Sequence, residues 1–162
     1  MTTTYKDKER KMVTGSKGIL KKTFVLAVVG GLAFWLANFA ISRTPIAAEY
    51  RAALSISYYP MLMEALFGGL IIGFWVSYLL LRFFDRIPAK DPILKSILIS
   101  LLFLLIITIS IGNPSVYHRT PDSLHYFFIG LVFNFIRILA LGVAIGYGCK
   151  RNFLGNNQEV CE

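Results

Sequence analysis

Two charged residues sit inside otherwise apolar stretches, and any chemistry in the chain would gather around them. From Ala52 to Leu81 the only charge is Glu64, and from Ser123 to Cys149 the only charge is Arg137. Asn134 precedes Arg137 by one helical turn, and Asn38 lies in a third apolar stretch, between Lys22 and Arg43. A charge near mid-bilayer costs at least about 2.5–3.5 kcal/mol on insertion scales, so such residues are normally paired or functional. The simplest expectation is an interhelical Glu64–Arg137 ion pair, hydrogen-bonded by Asn38 and Asn134, that fixes helix register. Such a pair adds little net stability, but removing one partner costs about 3–5 kcal/mol. The functional alternative is a site for an ion, a proton or an acidic substrate group.

A second group of candidates is His118, Asp122 and His125, within a segment running from His118 to His125. Histidine and carboxylate can ligate a metal, but the spacing matches no established ligand pattern, and Pro121-Asp122 looks like a loop entering a helix. These three residues support only a weak metal reading, with a membrane-embedded lipid-modifying enzyme as a third functional option. Cys149 and Cys161 form no CxxC pair, so neither a disulfide framework nor a zinc ribbon is implied. Gly15-Ser16-Lys17-Gly18 lacks Walker spacing, and HExxH and GxSxG are absent. Gly146-Tyr147-Gly148 ends the last apolar stretch, whereas a potassium filter needs a re-entrant loop followed by another span. The expectation is a protein without enzymatic activity and without a cofactor.

The elements that must position these residues follow from composition. Of 162 residues, 56 % are hydrophobic and 16 % charged, against about 25 % charged in a typical soluble domain. A water-soluble core of this size could not hide so much apolar surface. The chain is therefore expected to be an all-α integral membrane protein with four transmembrane helices, about 24–41, 59–81, 93–111 and 124–148, each near the roughly 20 residues needed to cross. The domain plan is a basic tail (1–22), a membrane domain (23–149) and a second tail (150–162). Alternating polarity of the outer-membrane barrel kind is absent.

Orientation follows from Lys and Arg. Of the 17, thirteen fall in the N-terminal segment, the loop between spans 2 and 3 and the C-terminus, and three (Arg43, Arg51, Arg119) on the other side. Both termini are expected in the cytoplasm of a protein of the cell membrane. The net charge of +8 then reads as a topological signal that also attracts anionic lipids at the cytoplasmic face, and not as a nucleic-acid footprint.

Small residues four apart let membrane helices approach closely. Span 2 carries Ala65, Gly69, Gly73 and Ser77, and span 4 carries Ala140, Ala144 and Gly148, with Gly142 and Gly146 beside them. These ridges predict tight contacts among spans 1, 2 and 4, with span 3 facing lipid. Residues 69–74 resemble 142–147, and Arg43-Thr44-Pro45 recurs as Arg119-Thr120-Pro121. The chain thus reads as two parallel two-helix repeats, in which Glu64 corresponds to Arg137. The functional expectation is an oligomerising or accessory subunit, acting as a homo-oligomer or with a membrane partner protein through the span 2 ridge. The alternative is a small transporter or ion-conducting protein using Glu64 and Arg137.

Overall fold

The computed structural model describes residues 3–84, 87, 89, 91–111 and 123–151, with side chains described from residue 18 onward except at 110, 111 and 123. Among these residues the chain forms five helices: α1 (Thr3–Ser42), α2 (Pro45–Ala53), α3 (Tyr58–Arg82), α4 (Pro92–Ile111) and α5 (Ser123–Cys149). Four segments are long and apolar enough to cross a bilayer: Gly18–Ser42, Tyr58–Arg82, Pro92–Ile109 and Leu124–Cys149. A helix satisfies its own backbone polar groups, which lipid cannot. The chain is a multi-pass membrane protein. The N-terminal segment, read above as a basic tail, is helical and continues α1 back to Thr3. It contains no proline and carries six Lys, a good helix former.

Helix α2 was not foreseen. It starts because Thr44 closes one helix and opens the next. Its hydroxyl donates to the Ile41 carbonyl at 2.7 Å and accepts from the Ala47 amide at 3.3 Å, and Pro45 supplies the preset φ favoured at a first helical position. Ser55, at φ 54°, turns the chain out of α2, and Ser57 precedes α3. Arg51 ties α2 back to α1 by donating from Nη1 to the Ser42 carbonyl at 3.0 Å.

The spanning helices form a four-cornered bundle in the order α1, α3, α4, α5. Helix α1 packs most extensively on α3 and next on α5, α4 packs on α5, and the α3–α4 edge is sparse. Glycines set these contacts. A Cβ on Gly73 would lie 2.8 Å from the Ala27 carbonyl oxygen, and one on Gly146 would lie 2.5 Å from the Cα of Ile93. Neither neighbour is a flexible side-chain tip, so both approaches need glycine. Helix α4, expected to face lipid, is seated in its first half. Ser96, Ile99 and Ser100 are buried, because Gly142 and Gly146 let α5 approach the backbone of α4 there. Beyond Ser100 it carries bulky Leu, Ile and Phe, and Leu102, Leu105, Ile106 and Ile109 are exposed.

The core therefore sits toward one end. Leu26, Val76, Leu80, Leu141 and Ile145 have no exposed surface, and they pack in one cluster with Cys149. At that end the Lys95 ammonium donates to the Phe84 carbonyl and lies 3.9 Å from the centre of its ring, which joins the chain leaving α3 to α4. The other end, where α2 lies, is looser. There α1 and α3 stop short of α5. Gly31 meets Leu70, and Gly30 meets Leu141 and Ile145. This pairing sets Leu70 level with about Val143, so Ser42 and Tyr58 end roughly two turns below the start of α5.

Gly146→Val is expected to lower stability by about 1–3 kcal/mol through overpacking, read as a drop in thermal midpoint in detergent. Gly68→Ala is the control. Nothing lies within 4 Å of its added Cβ, and the alanine should leave stability unchanged or raise it by up to about 1 kcal/mol.

Candidate functional site

The same pairing places Glu64 on α3, Arg137 on α5 and Asn38 on α1 at nearly one depth, six or seven residues from the Gly30–Gly31 contact toward the α2 end. Depth is shared, but direction is not. Asn38 is completely buried, and neither of its amide atoms has a hydrogen-bond partner. Arg137 is half-buried and donates from Nη1 to Asn134 Oδ1 at 3.2 Å, while its Nε is buried and unbonded. Asn134 and Glu64 are both exposed on the bundle surface. Among the described residues no ion pair joins Glu64 to Arg137. The reason is angular: the buried face of α3 runs through Ala65, Gly69, Gly73, Val76, Ser77 and Leu80, and Glu64 points about 100° away from Ala65.

Arg137 instead faces a small cavity of about 20 Å³ at the α2 end, lined by Ile41, Ser42, Ala47, Tyr50, Arg51, Met61, Phe133 and Arg137. That is room for about one water. Helix α2 builds one wall. The Tyr50 ring stands edge-on to Phe133 at 5.7 Å and tilted against Tyr126 at 6.3 Å. Its hydroxyl reaches α5 at Gly130, where a Cβ would come within 2.8 Å. Arg51 lies over the Tyr58 ring at 5.2 Å. Two arginines thus border one cavity.

The sequence does not point to Arg51 and Tyr50 at this site, because there Arg51 enters only the count of charges on one side of the membrane. The signal that could have found them is Thr44-Pro45, a helix start that makes Pro45–Ala53 a structured element and not a connecting loop. The predicted packing residues are placed as follows. Ala65, Gly69, Gly73 and Ser77 are buried, with Gly69 and Gly73 against α1. On α5 the buried stripe is Ile138, Leu141, Gly142, Ile145, Gly146 and Cys149, and Ala140, Ala144 and Gly148 are half-buried on its flank. Of the metal candidates, His125 is exposed and stands edge-on to Tyr126 at 5.5 Å, while His118 and Asp122 lie outside the described residues. So do Cys161, residues 152–162 and the Arg119-Thr120-Pro121 copy of the repeat. Among the described residues no three His, Cys, Asp or Glu side chains gather to hold a metal.

No protein-family model matches the chain, and neither the curated proteins nor the solved structures contain a match to it.

The orphaned amide of Asn38 predicts that polarity there is a burden on the isolated bundle, since an unsatisfied buried polar group costs about 1–3 kcal/mol. Asn38→Leu should raise the thermal midpoint of the purified protein in detergent. An unchanged or lower midpoint would mean that the amide is satisfied by water or a bound group.

Proposed function

We propose that this membrane protein works without catalysis of its own, as an accessory or interaction subunit of the cell membrane, and that the face of α3 presenting Glu64 is its docking surface. Both termini face the cytoplasm on this reading, supported by the excess of Lys and Arg in the terminal segments and the loop after α3. The basic segments then lie where anionic lipid headgroups attract them.

The observation that carries the proposal is the exposure of Glu64 at the depth of Arg137, with no ionic partner among the described residues. A carboxylate facing hydrocarbon is expensive, and a polar or cationic side chain on a neighbouring helix relieves that expense. The small-residue ridge of α3, the alternative adhesive surface, is taken up against α1 within the chain. Docking is thus assigned to the face of α3 that presents Glu64, either to a second copy or to a different membrane protein. Below Arg137 the interior is filled by Leu26, Val76, Leu80, Leu141 and Ile145, all without exposed surface, which favours docking over conduction.

Polar contacts between membrane helices are worth about 0.6–2 kcal/mol. Glu64→Leu is accordingly expected to weaken association about threefold to thirtyfold, while the monomer stays folded because residue 64 lies outside the core. The measurement is particle mass after mild-detergent purification, with a photo-crosslinking residue at position 64 and, as a control, at exposed Ile71. A clean monomer without crosslinks from position 64 would overturn the proposal.

A further inference from the structure

The cavity beside α2 has a composition that helix docking does not explain. Two arginines, Arg51 and Arg137, line it, and among the described residues no Asp or Glu does. Glu49, the carboxylate of α2, is exposed and outside it, and so is Glu64. Arginine carries five donors in a planar fork. Arg51 spends Nη1 on the Ser42 carbonyl, and Arg137 spends Nη1 on Asn134. The Arg137 Nε–H is buried and unbonded, a donor held out of water and waiting for an acceptor. Each guanidinium is also held by its surroundings. Arg51 is stacked over Tyr58, and Arg137 is gripped by the amide of Asn134.

The level of the cavity narrows the ligand. It lies where α1 ends at Ser42 and α3 begins at Tyr58. Tyr50, Tyr58, Tyr59 and Tyr126 gather at this end, as tyrosines do at a membrane–water boundary. Arg137 is rooted about one turn deeper than Phe133, and its long stem lets the guanidinium reach up to that boundary. A pair of arginines at the boundary matches the charge and geometry of a phosphoryl group, whose oxygens accept the fork of N–H donors bidentately. At about 20 Å³ the cavity admits about one oxygen, so the rest of the phosphoryl group and of the ligand must stay at its mouth.

We infer that the cavity between the end of α1, α2 and α5 is a phosphate site, in which Arg51 and Arg137 clamp the phosphoryl group of an anionic phospholipid headgroup or of a soluble phosphate. This site is at the opposite end of the bundle from the basic termini, so it is separate from any general attraction of those segments for anionic lipid. It does not rest on the docking role of Glu64.

The test uses the full chain purified in detergent and stripped of lipid. Phosphatidylglycerol, phosphatidylcholine and inorganic phosphate are titrated separately, with retained ligand followed by native mass spectrometry and the thermal midpoint followed in parallel. Phosphatidylglycerol should bind the wild type at least tenfold more tightly than it binds Arg51→Gln, with Arg51→Lys intermediate. Lys150→Gln with Arg151→Gln, at the other end, should bind like the wild type. If inorganic phosphate alone gives the same dependence on Arg51 and phosphatidylglycerol adds nothing to it, the site stands and its ligand is the soluble ion. The inference is overturned if Arg51→Gln binds both probes as the wild type does, or if the Lys150/Arg151 variant loses as much. Arg137→Gln supplies a second reading, and should it fail to fold, Arg51, which lies outside the buried core, carries the test alone.

Discussion

Gly30 and Gly31 are neighbours on α1 that face different helices, and the rest of the bundle depends on that pair. Gly30 receives Ile145 and Leu141 of α5, and Gly31 receives the backbone of Leu70 on α3. Consecutive residues in a helix point about 100° apart, so two adjacent residues without side chains let two helices close in on α1 at one level. Helix association in lipid relies on this kind of close packing, since lipid tails are as apolar as leucine. Once α3 and α5 are set against α1 there, the depths of all their other residues follow. Glu64, Arg137 and Asn38 fall into one layer for that reason, and not because they attract one another.

The two ends of the bundle then differ in character. Small residues on α5 and serines on α4 draw those helices together at the end of Leu26, Leu80 and Ile145, where the core is dry and closed. At the α2 end α4 carries Phe, Leu and Ile and α5 carries Phe127, Phe128 and Phe133, with no small-residue stripe to bring the backbones together. Polarity is tolerated where packing is loose. Both arginines that line the cavity and both exposed polar residues of the layer are found on that side, while the buried hydroxyls of Thr23, Ser77 and Ser96 stay among close-packed helices.

The four spans were legible because a run of apolar residues long enough to cross lipid has few other uses. The expected limits, about 59–81 and 124–148, fall within one residue of Tyr58–Arg82 and Ser123–Cys149. What composition could not supply was azimuth. Glu64 and Arg137 could be matched in depth by their offset along the chain, but which way each points depends on the packed face of its helix. Glu64 lies one residue off that face on α3. A similar offset separates Ala140, Ala144 and Gly148 from the stripe that α5 buries. Helix α2 escaped notice for another reason: nine residues with Glu49 and Arg51 among them carry no hydrophobic run, and only the Thr44-Pro45 start betrays it. The side of the cavity that α2 builds was invisible with it.

The unequal reach of the two hairpins has a consequence for the surrounding lipid. With α1 and α3 ending roughly two turns below the start of α5, the apolar belt of the protein has two heights on its α2 side. A bilayer answers such a mismatch by thinning locally or by tilting the helices, at a fraction of a kcal/mol for each ångström. A bilayer that adapts in this way would be drawn down beside α1 and α3 toward the level of Ser42. Arg137, costly in a flat bilayer, would then stand near the floor of a shallow dimple.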